Sequence, residues 1–187
     1  MQKLTILVDM DDVLERLVDA WCEALNQRHG TSVRSKDIDD WDIAKFFPGL
    51  SKEEVFAPLS DTDFWPTVQP MENAQDVLHC LKNEGHTIKI VTAAAPSTVL
   101  PKMEWLFKNY PYLRGKDVVI TGDKSVVKGD IMIDDGIHNL DSTTCYKVLF
   151  TRPHNAKYDA IANGMYRVSN WDEIYTLIQS MTGGTDD

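Results

Sequence analysis

The sequence predicts an α/β fold in which a central parallel sheet carries a small helical insertion after its first strand. Three observations carry that prediction. Leu4-Thr5-Ile6-Leu7-Val8 is a short apolar, β-branched run that stops abruptly at Asp9, as a strand buried on both faces would. After Pro70 the pattern alternates strand, helix, strand, the grammar of a parallel α/β sheet. Between these parts, residues 31–70 mix Trp41, Phe46, Phe47, Phe56, Phe64 and Trp65 with Pro48, Gly49, Pro58 and Pro66, and contain no strand pattern.

The elements follow in order. Leu17, Val18, Trp21, Cys22 and Leu25 recur at helical spacing, and His29-Gly30 supplies a stop. Ser51 and Glu54 form a capping box for a helix within the insertion. Ala74, Val77, Leu78 and Leu81 make a helix ending at Gly85, Thr87 to Val91 a strand, and Val99, Met103, Leu106 and Phe107 the next helix. Three short strands follow at 118–121, 130–133 and 147–150. The last helix opens at Ser169-Asn170, with Asp172 and Glu173 in its first turn where the dipole favours anions, and runs to about Met181. Gly183 to Asp187 reads as a frayed tail. The expected organisation is a core of residues 1–14 and 75–187 and a helical cap of residues 15–74; a length of 187 residues suits one domain with an insertion.

Composition narrows the partners. Lys and Arg number 19 against 29 Asp and Glu, and the formal net charge of −10 repels polymeric nucleic acid and anionic membranes over most of the surface. A small anion in one local pocket stays compatible. Cys22, Cys80 and Cys145 are far apart and lack zinc spacing, so they read as buried, reduced thiols. The opening MQKLTILVDMDD is too short in apolar residues for a signal peptide or membrane span, which places the protein in the cytoplasm. Monomer and homodimer both stay open.

Asp9-x-Asp11 falls at the carboxyl end of the first strand, where open α/β sheets bind ligands. Unpaired carboxylates there repel each other, so a bound cation is the economical account, and oxygen ligands favour Mg²⁺ over zinc; a solvated acidic turn is the alternative. Three later features also fall at strand ends: Thr92, Lys124 and the pair Asp134-Asp135. A hydroxyl, a cation and two carboxylate pairs at one sheet mouth describe a phosphate and metal site.

This ordered set resembles the haloacid dehalogenase (HAD) superfamily of aspartate-nucleophile phosphatases. The blocks VDMDDVL, FWPTVQPMENA, IVTAAAP, ITGDKSVVKGDIMIDD, LFTRPHN and SNWDEI narrow the likeness to the 5′(3′)-deoxyribonucleotidase family, end to end. The resemblance implies a HAD-like Rossmannoid three-layer core with a cap, and a nucleoside monophosphate as substrate. It also implies roles: Asp9 as nucleophile forming an aspartyl-phosphate, and Asp11 as acid, then base, contacting the substrate. Thr92 and Lys124 would hold phosphoryl oxygens. Mg²⁺ would be held by the Asp9 side chain, the Asp11 backbone carbonyl and Asp135, with Asp134 in support. In the cap, Trp41 matches an aromatic position of the family pocket and Trp65 is a second candidate wall for the base, against the alternative that both are cap core.

Two departures bear on activity and substrate. Asp12 stands where the family usually has Gly, at a backbone position that favours a permissive φ, adding a carboxylate near the phosphate and lowering the expected activity. Ala93 follows Thr92 where the family has Ser, removing a hydroxyl from the substrate side. The five histidines show no metal spacing, His79 and His86 read as surface residues, Trp105 and Trp171 as core, and Arg152 and Lys128 as added positive field near the mouth. Three rivals remain: a phosphatase of the same mechanism acting on another small phosphomonoester such as a sugar phosphate; a phospho-accepting receiver-like module, whose acids occur in the opposite order; and, given Asp12, a catalytically dead module that binds metal and nucleotide without turnover.

Overall fold

A computed structural model describes residues 2–183, so the expected tail beyond Gly183 lies outside the described residues. Six parallel strands form one sheet in the order β3-β2-β1-β4-β5-β6: β1 (Thr5–Val8), β2 (Thr87–Thr92), β3 (Val118–Ile120), β4 (Ile131–Asp134), β5 (Tyr146–Phe150) and β6 (Tyr166–Val168). The apolar opening run thus becomes the interior strand, with Ile6 opposite Ile88 on one side and Ile131 on the other. The chain builds outward from β1 to β2 and β3, then crosses to β4. That reversal leaves a crevice at the carboxyl ends of β1 and β4.

Alternation along the strands sends side chains to two faces. Ile6, Val8, Ile88, Ile90, Ile131 and Ile133 pack on the face covered by α3 (Ala74–Asn83), α4 (Val99–Asn109) and α6 (Trp171–Thr182). Leu7, Val91, Met132 and Leu149 face the thinner layer made by α5 (Ile137–Ser142) and the 156–165 segment. The three-layer expectation is met. Two elements were not foreseen: α5 and β6 are too short for a periodic pattern to register.

The insertion is helical, as expected. It comprises α1 (Leu17–His29), stopped by Gly30 at φ 66°, then α2 (Lys52–Phe56) and four single 3₁₀ turns. The Ser51–Glu54 capping box forms in both directions, at 3.2 and 2.7 Å. Ile38, Ile43, Phe47, Val55 and Phe64 join α1 in an apolar cluster continuous with the sheet face. Buried indoles tie the parts together, because each N–H finds a carbonyl: Trp21 on Val55 (2.6 Å), Trp105 on Val68 (2.8 Å) and Trp171 on Val13 (2.8 Å).

Two single-residue expectations are corrected. Cys80 is exposed, because it sits on the outer side of α3, whereas Cys22 and Cys145 are buried; all three thiols are free. His86 is buried rather than on the surface, its Nδ1 accepting the amide of Leu4 at 3.2 Å where β1 has no strand partner for it. Among the described residues no helix is long and apolar enough to cross a membrane.

Candidate active site

The loop after β1 winds back on itself, with the amides of Val13, Leu14 and Glu15 all donating to the Met10 carbonyl. That winding requires a left-handed residue, and Asp12 takes it, at φ 52°. Its carboxylate turns toward Arg152 Nη2 at 3.1 Å, so the added charge is paired there. Burial nonetheless raises its pKa to about 6 against the pull of Arg152.

Asp9 is fixed at three points. Its amide donates to Ile133 on β4 at 2.9 Å, its Oδ1 accepts from the Met10 amide at 2.7 Å, and the Lys124 ammonium lies 2.6 Å from the same oxygen. Lys124, on the turn after β3, is itself buried and also donates to Asp134 Oδ2 at 2.7 Å. One ammonium therefore faces two carboxylates, which hold it charged despite burial. The remaining acceptor capacity of Asp134 is used by the Gly136 amide at 2.8 Å and the Asn139 side chain. Asp135 differs: among the described residues the basic side chain within ion-pair distance of its carboxylate is His154, 3.5 Å from Oδ2, a ring that burial pushes toward the neutral form.

Asp9, Asp134 and Asp135 each bring a carboxylate oxygen within 4.8 Å of the others, all buried, an acidic cluster able to hold a metal ion. Electrostatics state the same need. Burial, reinforced by Asp134 against the pull of Lys124, raises Asp9 to about 7; burial and repulsion from Asp9 and Asp134 push Asp135 well above the carboxylate range. One lysine does not balance three buried carboxylates, and a divalent cation fits the donor set.

Thr92 closes β2 fully buried, its hydroxyl donating to the Ala93 carbonyl at 3.3 Å. Asp11 points its half-exposed carboxylate along the crevice, where burial is outweighed by Lys102, and its pKa falls below the usual value. A cavity of about 410 Å³ opens over these groups, reaching Asp9, Asp11, Lys124 and Asp135 on the core side and Trp41, Ile43 and Phe56 on the cap side. An adjoining cavity shares Asp11, Ala93 and Gly122 and extends to Lys102 and Trp65. Trp41 is 59% exposed, with its ring set edge-on to His138 (4.8 Å) and His154 (5.1 Å). Trp65 is only 3% exposed, and its indole N–H is taken by Leu59 at 2.9 Å, so it contributes mainly to cap packing at the rim.

The structure thus brings Asp9, Asp11, Thr92, Ala93, Lys124, Asp134 and Asp135 to one mouth, with Trp41 across from them. Lys128 is exposed and does not line the 410 Å³ cavity. Sequence reasoning missed Glu15, Lys102, Asn139 and the two histidines beside Trp41. Lys102 carried no signal, since a lysine in an amphipathic helix reads as a solvated one.

Sheet order, the carboxylates and lysine at its mouth, and the inserted cap are the architecture of the HAD-type hydrolases. Solved structures agree: a HAD-like hydrolase from Streptococcus pneumoniae aligns with a TM-score of 0.66 at 15% identity, covering 95% of this chain and 99% of that one. A HAD hydrolase from Bacillus subtilis, solved with bound magnesium, aligns with a TM-score of 0.60 at 12% identity over 95% and 99% of the two chains. Within that class, the chain belongs to the family described as 5′ nucleotidase, deoxy (pyrimidine), cytosolic type C protein (NT5C), which residues 3–182 match. It is 37% identical over 173 residues to a Bacillus subtilis 5′(3′)-deoxyribonucleotidase, spanning 92% of this chain and 96% of that protein. The family expected from the motifs is borne out.

Proposed function

We propose that this protein is a Mg²⁺-dependent phosphatase that removes phosphate from deoxyribonucleoside 5′(3′)-monophosphates through an aspartyl-phosphate on Asp9. The observation that carries the reading is the Lys124 bridge between Asp9 and Asp134 (2.6 and 2.7 Å) beneath a cavity of about 410 Å³, a size suited to a small nucleotide. Asp9, Asp135 and the main-chain carbonyl of Asp11 would hold the metal, with Asp134 fixing Lys124. When bound, the ion supplies positive charge to the phosphoryl oxygens.

In this reading an Asp9 carboxylate oxygen attacks phosphorus while the bond to the nucleoside oxygen breaks, and Asp11 delivers a proton to that oxygen. Water then attacks the aspartyl-phosphate, Asp11 takes its proton, and phosphate leaves with Asp9 restored. Lys102, working against burial, draws the Asp11 carboxyl below its ordinary value, and an incoming phosphate dianion raises its proton affinity, favouring the protonated form that the first half needs. Lys124 and Thr92 hold the phosphoryl oxygens as charge moves, the main requirement of phosphoryl transfer. Cytoplasmic residence belongs to the same reading and is supported by three free thiols.

Phosphate release from a panel of deoxy- and ribonucleoside monophosphates, with Mg²⁺ and with EDTA, tests it. Deoxynucleotides should be preferred by about tenfold, as expected if a ribose 2′-hydroxyl is buried without a partner, and chelation should abolish turnover. Undiminished turnover in EDTA, or a sugar phosphate outrunning every nucleotide, would overturn the assignment.

A further inference from the structure

Outside the groups already given a role, the most unusual side chain near the crevice is Lys102. It lies on α4 and is 2% exposed. A lysine that deep is rare unless its ammonium is held. Here Nζ lies 2.5 Å from Asp11 Oδ1 and donates to the Ala93 carbonyl at 3.0 Å, joining the end of the nucleophile loop to the segment that follows β2. Glu15 closes the arrangement from behind. It is fully buried, neither of its carboxylate oxygens has a hydrogen-bond partner, and burial together with repulsion from Asp11 raises its carboxyl well above the ordinary range. The backbones of Asp11 and Glu15 are bridged as well.

Lys124 and Lys102 divide the two acids of the D-x-D motif between them. Lys124 contacts Asp9 and Asp134, beside the metal-binding carboxylates, whereas Lys102 contacts Asp11 on the side where the second cavity begins. The short ion pair to Oδ1, from an ammonium itself anchored on the Ala93 carbonyl, limits the orientations open to the Asp11 side chain.

We propose that Lys102 is a positioning residue that orients Asp11 toward the leaving oxygen. This rests on the assignment of Asp11 as the acid and base. Its effect should therefore follow the leaving group: a nucleoside oxygen needs a proton as the bond breaks, whereas p-nitrophenolate leaves without one.

The test compares dUMP with p-nitrophenyl phosphate, each with saturating Mg²⁺, in the intact enzyme and in Lys102→Met, Lys102→Arg, Asp11→Asn and the Lys102→Met/Asp11→Asn double variant. Lys102→Met should lower kcat for dUMP by about 30-fold and for p-nitrophenyl phosphate by only about threefold, and Lys102→Arg should recover part of the dUMP loss. The double variant should be no slower on dUMP than Asp11→Asn alone, because Lys102 acts through that carboxylate. The inhibition constant of inorganic phosphate should change by less than threefold. Equal losses on both esters, a tenfold weaker phosphate inhibition, or additive losses in the double variant would each overturn the proposal by making Lys102 a phosphate ligand or a packing residue. Should Lys102→Met fail to fold, Lys102→Arg carries the same comparison, since it keeps the charge but displaces the donors. If Asp11→Asn itself loses equally on both esters, the acid and base assignment fails, a result separate from any of these.

Discussion

Asp9→Asn should abolish turnover and yet stabilise the metal-free protein. Burial and Asp134 raise the Asp9 carboxyl from its ordinary 3.8 to about 7 even with Lys124 2.6 Å away. A carboxyl more easily protonated when folded than when unfolded penalises the folded state as pH rises. The penalty begins above about 4, where the unfolded chain ionises, and is complete above about 7. By linkage the full difference is about 4 kcal/mol. Asparagine keeps an oxygen for the Met10 amide and for Lys124 but forgoes the attraction between charges, which offsets part of this gain. A net stabilisation of about 1–3 kcal/mol at pH 8 follows, or roughly 3–10 °C in Tm for a domain of this size. Melting in EDTA at pH 5 and pH 8 measures it. The advantage should be small at pH 5, large at pH 8, and reduced by Mg²⁺, which binds the native carboxylate set better. A variant less stable than the parent in EDTA at pH 8 would refute the claim that Asp9 is held in an electrostatically crowded position.

Other consequences can be checked alongside. Asp135→Asn should weaken Mg²⁺ binding, read by calorimetry, by at least tenfold and more than Asp134→Asn does, because both Asp134 oxygens already accept protein donors whereas Asp135 has only the flank of His154; the reverse order would exchange their roles. Trp41→Ala should raise KM for dUMP by about tenfold and for p-nitrophenyl phosphate by less than twofold, since the ring is 59% exposed and faces the cavity; equal losses would make it part of cap packing.

Which parts of the molecule were legible depended on how many residues carried each signal. The buried run of β1, the apolar stripes of α1, α3 and α4, and the caps at Ser51 and Asn170 are local patterns set by burial and backbone hydrogen bonding, and the structure reproduces them. The strand order is a long-range property that no local pattern encodes. The edge strand β6 has only three residues, and α5 has six, too few to reveal a period. Asp9, Asp11, Thr92, Lys124 and Asp134-Asp135 could be read because each lies at or just past the carboxyl end of a strand and because the family motif orders them. Lys102 and Glu15 could not: a lysine and a glutamate are taken for solvated residues until the fold sets their carboxylate and ammonium against Asp11. His86 was misjudged for a similar reason, because only the sheet supplies the Leu4 amide that it accepts.

The Trp171–Val13 hydrogen bond has a consequence for when the enzyme becomes an enzyme. Val13 lies in the turn that seats Asp9 and Asp11, and its carbonyl is satisfied by an indole on the last helix, about 160 residues later in the chain. At roughly 5–20 residues per second, a ribosome making this protein completes the turn after β1 many seconds before it makes the residue that fastens it. The strands on either side of β1 come late as well, β4 only after residue 130. Residues 5–15 are therefore made well before the residues that hold them in the folded structure. Until α6 docks, the Val13 carbonyl has no indole N–H to accept, and the turn after β1 lacks that tether.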